Sequence, residues 1–152
     1  MPRKRGRLYP RTFARVQRSL ANLHVRAYRA SGGRIGGSFR GSPIFVLLTT
    51  GRKTGAERRT PLLYMPHGDD LVIIASNGGT ASSPAWWLNL EANPRAEAIL
   101  GNRRIPVIAS ETSGEERRKL WESVVEMYPG YAGYQRKTDR EIPVIRLKPE
   151  QR

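Results

Sequence analysis

The chain has 152 residues and a mass of 17.1 kDa, the size of one domain with room for a sizeable core. With 38% apolar residues, three Trp, six Tyr and three Phe, it is not a disordered chain, and the absence of cysteine excludes disulfides and thiolate metal sites. The net charge of +14 is lopsided: residues 1–56 hold 13 Lys or Arg and no acid, whereas residues 57–152 hold the other 14 bases against all 13 acids. That asymmetry points to an anionic partner, whether nucleic acid, anionic lipid or a polyanionic small molecule. Two histidines far apart in sequence argue against a metal centre.

Residues 1–10 read as a basic arm. From 12 to 30 the pattern is helical, with Phe13, Val16, Leu20, Leu23 and Ala27 at steps of three or four and arginines on the other faces. Such a helix packs its stripe on a core or lies on an anionic membrane. "ASGGRIGGSFRGSP" ends the helix, and residues 44–50 read as a buried strand. Residues 57–65 look like its partner, residues 66–70 a turn and residues 71–76 a third strand. A small-residue loop follows, then a short helix over 84–92 with Ser83 as cap and Pro84 in the first turn. A hairpin is predicted around "NRR", and a helix over 113–128 opens on Ser113 with Glu116 three residues on. Residues 142–147 close with a strand. Strands in hairpins, without alternating βαβ units, predict an α+β protein built on an antiparallel barrel with appended helices. No signal peptide and no transmembrane helix are expected.

Three stretches carry chemistry. "TTGRKTGAERRTPLLY" sets Arg52, Lys53, Arg58 and Arg59 around one tight turn, where like charges repel unless something negative sits there. Amides of residues 51–55 forming a nest, with a hydroxyl from Thr50 or Thr54, suit a phosphate or carboxylate. The bland alternative is a solvated basic hairpin tip. In "IIASNGGTASSPAWWLNLEANP" a strand runs into small residues that let a ligand approach the backbone, then into a helix start carrying Trp86, Trp87 and Asn89. Adjacent tryptophans on a helix point about 100° apart, so at most one faces a given site, and Trp87 fits core packing. In "MYPGYAGYQRKTDRE", Tyr128, Tyr131 and Tyr134 fall three apart and present three phenols on one face of a tight helix, a fit for a planar ligand. Without a nucleophile motif, Cys–His pair or metal cluster, the chemistry belongs to a cofactor.

In this order and spacing, "LLTTGRKTG", "RRTPLLY", "IIASNGG", "PAWWLNLEANP" and "YPGYAGYQRKTDREIPVI" resemble the deazaflavin-dependent nitroreductase family, the quinone reductases that use reduced coenzyme F420. The resemblance runs from about residue 24 to 148. It implies a split β-barrel over residues 31–152, preceded by the basic arm and helix of residues 1–30. It implies that Arg52, Lys53, Thr54, Arg58 and Arg59 bind the cofactor's phosphodiester and acidic tail. Thr60, Pro61, Leu62 and Leu63 would line the deazaflavin. Ile74, Ala75, Ser76 and Asn77, with Ala85, Trp86, Trp87, Leu88 and Asn89, would hold the ring and its side chain. Tyr131 would join that pocket, while Tyr128, Tyr134 and Ser76 would border a quinone or nitro-compound acceptor. The acceptor's developing oxyanion would take a hydrogen bond from Tyr131, Tyr134 or Ser76. Two departures stand out: Asn77 where the family often has lysine, and Trp87 in place of the tyrosine of "PAWY".

The lack of cysteine permits a reducing cytosol, a monomer is expected rather than the dimer common among flavin split barrels, and the excess basic charge gives residues 1–30 a means to dock on anionic lipid at the inner face of the plasma membrane. Two other readings stay open: a split barrel that binds flavin mononucleotide or deazaflavin without turnover, and a basic nucleic-acid-binding module. Against a specific nucleic-acid site, the aromatics cluster late in the chain instead of interleaving with the cations.

Overall fold

The computed structural model describes residues 22–33, 37–39 and 41–150. The basic arm and the first part of the predicted N-terminal helix lie outside these residues. Residues 22–30 are helical (α1). The chain continues through β1 (Ser38–Phe39), β2 (Ser42–Thr50), β3 (Glu57–Leu63), β4 (Met65–His67) and β5 (Asp70–Ile74). A 3-10 turn (Asn77–Gly79) and α2 (Ala85–Ala92) lead to β6 (Arg95–Leu100) and β7 (Arg103–Glu111). Helices α3 (Gly114–Met127) and α4 (Gly130–Arg136) precede the last strand, β8 (Val144–Pro149).

All strand pairings are antiparallel, in the order β1-β2-β6-β7-β8-β5-β4, with β3 on the other edge of β2. The predicted strand over 57–65 is therefore two strands. Its first part pairs with β2 and its second with β5, and the chain turns at Tyr64, whose amide donates to the Pro43 carbonyl at 3.1 Å. Because β3 and β4 are consecutive pieces of one bent chain, they join the two ends of the path and the sheet curls into a split barrel. Pro61 is tolerated in β3 because that strand pairs along one edge only.

The two faces of each central strand account for the apolar runs. In β2, Phe45 and Leu47 point into the barrel core, while Val46 and Leu48 meet α1. In β5, Leu71 and Ile73 face the same interior, and Val72 and Ile74 pack under α3 and α4 with Leu120, Val124 and Tyr131. Strands covered on both sides read as unbroken hydrophobic segments rather than as alternation. Helix α2 closes the barrel with Trp86, Trp87 and Leu90. Helix α1 is fastened by Val25 and Tyr28, whose hydroxyl accepts from the Gly101 amide at 2.6 Å and donates to the Ile99 carbonyl at 3.3 Å.

One predicted helix cap shifts by a residue, and the other keeps its position but lacks its capping bond. Pro84, not Ser83, occupies the N-cap of α2, and Ser83 lies one residue outside. Ser113 does sit at the N-cap of α3, but its hydroxyl makes no capping bond. Glu116 turns instead to Arg146 on β8, at 3.1 Å, and Arg146 also reaches the buried Asp70. A tertiary ion pair has displaced the local capping box.

Candidate functional site

A cleft of about 1010 Å³ opens where the β2–β3 turn, the end of β5, the start of α2 and α1 converge. Its size suits a cofactor rather than a small metabolite. The turn brings Arg52, Lys53 and Thr54 to the cleft, and β3 adds Arg58, Arg59, Thr60 and Leu62. The end of β5 supplies Ile74, Ser76 and Asn77, and α2 supplies Ala85, Trp86 and Asn89. Pro61, Leu63, Ala75, Trp87 and Leu88 do not line it. Only one of the two tryptophans reaches the cleft, as their angular separation demands.

The turn differs from the expected nest of five amides. Gly51 donates to the Ala56 carbonyl at 2.7 Å, Gly55 to the Gly51 carbonyl at 2.8 Å, and Arg52 to the Asn89 side chain at 3.2 Å. Three amides are thus spent on shaping the turn, which leaves the side chains as its main anion-binding groups. Gly51 has little room for a side chain, since a Cβ would lie 3.0 Å from the Ala56 carbonyl oxygen.

Asn89 is the keystone of this corner. It is 4% exposed; its Oδ1 accepts from the Arg52 amide and from Arg52 Nη1 at 3.1 Å, and its Nδ2 donates to Thr49 Oγ1 at 3.2 Å. One buried amide therefore ties α2 to the turn and orients a cation. Glu57, the one carboxylate on the cleft wall among the described residues, pairs with Arg59 at 3.1 Å and Arg104 at 3.2 Å.

The cleft is graded in polarity. Arg52, Lys53, Arg58 and Arg59 gather at the turn and the start of β3, Arg26 joins the lining from α1, and Leu62, Ile74 and Trp86 add an apolar wall. Four steps along β3 separate Arg58 from Leu62, about 13 Å at strand rise. An elongated ligand with a planar, largely apolar head and an anionic tail fits this gradient, and the donor set contains no metal-binding group of three or more His, Cys, Asp or Glu among the described residues.

The three tyrosines gather, but not on the cleft wall. Ring centroids of Tyr128 and Tyr131 are 5.0 Å apart, those of Tyr131 and Tyr134 6.0 Å, and the hydroxyls of Tyr128 and Tyr134 lie 3.5 Å apart. Ile74 packs with this cluster and also lines the cleft, so it is the partition between the two. Burial, followed by the nearby phenols of Tyr128 and Tyr134, pushes the Tyr131 phenol well above its ordinary value. Tyr131 is consequently a neutral hydrogen-bond donor at any physiological pH.

Sequence reasoning missed Asn22, Val25 and Arg26 of α1, together with Glu57 and Pro84. Val25 was hidden because it does two jobs, packing on β2 and lining the cleft. Arg26 was one of many N-terminal arginines, and no local spacing singled it out.

Comparison with known proteins accords with this geometry. A sequence model of the F420H(2)-dependent quinone reductase family matches residues 20–149. A Mycobacterium tuberculosis (strain H37Rv) protein described as an F420H(2)-dependent quinone reductase is 42% identical over 132 residues, covering 84% of this chain and 89% of the relative. Among solved structures, an F420-H2 dependent reductase (FDR-A) superposes with a TM-score of 0.65 at 41% identity, covering 70% of this chain and 94% of that one. Another, described as a domain-swapped dimer, superposes with a TM-score of 0.68 at 35% identity, covering 92% of this chain and all of that one, 100%. The chain belongs to the F420H(2)-dependent quinone reductase family.

Proposed function

We propose that the cleft binds reduced coenzyme F420 and that the protein is an oxidoreductase that reduces quinones with it. The observation that carries this reading is the polarity gradient, four cations at the β2–β3 turn and the start of β3 and an apolar wall of Leu62, Ile74 and Trp86 in the same cleft. The bound cofactor supplies a hydride to the acceptor. The protein's own contribution is positioning and electrostatics.

In this reading Arg52, Lys53, Thr54 and Arg58 hold the phosphodiester and acidic tail, with Arg59 and Arg26 adding charge. Thr60, Leu62, Ile74 and Trp86 border the ring, and Ala85 and Asn89 frame its side chain. Pro61, Leu63, Ala75, Trp87 and Leu88 support those residues from behind. Ser76 stands at the strand end between ring and acceptor, and Tyr128, Tyr131 and Tyr134 bound the acceptor side. A neutral phenol there donates a hydrogen bond to the acceptor oxygen as negative charge develops on it, and does so without a change of protonation state. Nitro compounds, which present similar oxygens, are a second acceptor class.

Among the described residues no helix is long and apolar enough to cross a membrane. For access to a membrane quinone we propose that residues 1–30 dock on anionic lipid from the cytoplasmic side. Reduced F420 mixed with menadione and catalytic amounts of protein tests the enzymatic claim. Oxidation of the deazaflavin that requires both acceptor and protein is expected. Binding without oxidation, with menadione and with a nitroaromatic alike, would leave a carrier in place of an enzyme.

A further inference from the structure

The backbone that follows β5 is unusual. Asn77, Gly78 and Gly79 are three successive residues with positive φ, at 46, 64 and 77°. Asn tolerates this region better than other side chains do, and glycine enters it freely. Locally the run is held by two backbone bonds, Gly79 to the Ser76 carbonyl at 2.9 Å and Thr80 to the Asn77 carbonyl at 3.2 Å, and by the Asn77 side chain, whose Nδ2 donates to the Ser82 carbonyl at 3.1 Å. Yet Ser76, Asn77 and Gly78 form part of the cleft wall, so their shape matters to whatever binds there.

What fastens this run from outside is Arg140, on the segment between α4 and β8. Its Nη1 donates to the Ala75 carbonyl at 3.1 Å, its Nη2 to the Ser76 carbonyl at 2.6 Å and its Nε to the Thr80 carbonyl at 3.0 Å. The three acceptors bracket the left-handed run on both sides. A rigid planar fork meets that geometry, whereas an ammonium on a flexible stem does not. The arginine is itself braced: its amide donates to Thr138 Oγ1 at 3.3 Å, and its carbonyl accepts from Gln135 Nε2 at 2.8 Å. Gln135 Oε1 in turn accepts from the Ile142 amide at 3.0 Å. Among the described residues Arg140 enters no ion pair, and its neighbour Glu141 turns to Arg117 at 2.9 Å. The guanidinium is committed to backbone carbonyls, an expenditure of a cation that ordinary surface solubility does not call for.

We infer that Arg140 is a positioning residue of the ligand site: its guanidinium fork ties Ala75, Ser76 and Thr80 together and holds Ser76, Asn77 and Gly78 in the shape that receives the ligand. The ligand's identity rests on the deazaflavin reading above, but the clamp itself does not. Two variants of the full chain, Arg140→Gln and Arg140→Lys, separate the two. Hydrogen exchange of the ligand-free protein is read over residues 71–82, and oxidised F420 is titrated into each variant.

In Arg140→Gln, amides of residues 75–80 are expected to exchange roughly tenfold faster or more, with β2 and β7 unchanged. Affinity for F420 is expected to fall about tenfold, because a wall displaced by a fraction of an ångström no longer matches the ligand. Arg140→Lys keeps the charge without the fork and should lie between the two, and it decides the matter if the glutamine variant does not fold. Unchanged exchange at residues 75–80 overturns the clamp. Faster exchange with unchanged affinity, or full function in the lysine variant, overturns the positioning role. If the unaltered protein binds no F420, the cofactor reading falls on that result alone, and the exchange data still decide the clamp.

Discussion

Gly79→Ala is expected to destabilise the fold by about 2–5 kcal/mol, combining about 1–2 for a left-handed alanine with about 1–3 for overpacking. At this position φ is +77°, and an added Cβ would lie 2.4 Å from the Tyr134 carbonyl oxygen and 2.9 Å from its Cα. Both obstacles are backbone of α4, which cannot swing aside like the end of a long side chain. The change would push α4 off the strand end and disturb the tyrosine cluster together with the cleft wall. Gly68→Ala is the control: its φ of +60° imposes the same kind of strain, but no atom lies within 4 Å of the added methyl. It should cost only about 1–2 kcal/mol. Urea denaturation of both variants measures the difference, and equal losses would show that contact with α4 does not constrain the turn.

The second large effect is functional. Removing Arg52 and Lys53 together by Arg52→Ala and Lys53→Ala should weaken F420 binding by about 10–100-fold at low salt, on the scale of two charge-assisted contacts to an anion. It should also flatten the dependence of affinity on ionic strength, because exposed charges are screened over about 8–10 Å at physiological salt. Stability should change little, since both residues are exposed at the turn. The Arg52 guanidinium does bond to Asn89, but the Asn89 amide keeps its contacts to the Arg52 backbone and to Thr49. Loss of binding with an unchanged salt slope would mean that the turn acts through shape and not through charge.

What the sequence made legible follows from periodicity. The strands at 44–50 and 71–76 are visible because both faces are covered, one by the barrel core and one by helices, which leaves long apolar runs. The tyrosine cluster is visible because steps of three survive the break at Pro129 and place Tyr131 and Tyr134 together on one short helix beside Tyr128. Local rules failed where a distant partner outbid a near one. Glu116 left the expected capping box for Arg146, which lies 30 residues further on. Three amides of the basic turn were absorbed by the turn itself and by Asn89, 37 residues from Arg52. The bend at Tyr64 answers to barrel closure, and no property of residues 57–65 alone reports it. Arg140 was invisible for the same reason: its acceptors are carbonyls, which every residue has, some 60 to 65 positions away.

The central claim is that this cleft recognises a deazaflavin with an anionic tail. The most direct test is titration of the unaltered protein with oxidised F420 at low and at physiological ionic strength, with flavin mononucleotide as competitor. Micromolar affinity that weakens as salt is raised, with flavin mononucleotide a poor competitor, is the predicted result, because the cations at the turn have more charge to meet on the longer tail. No saturable binding at low salt, or tighter binding of flavin mononucleotide, would contradict it.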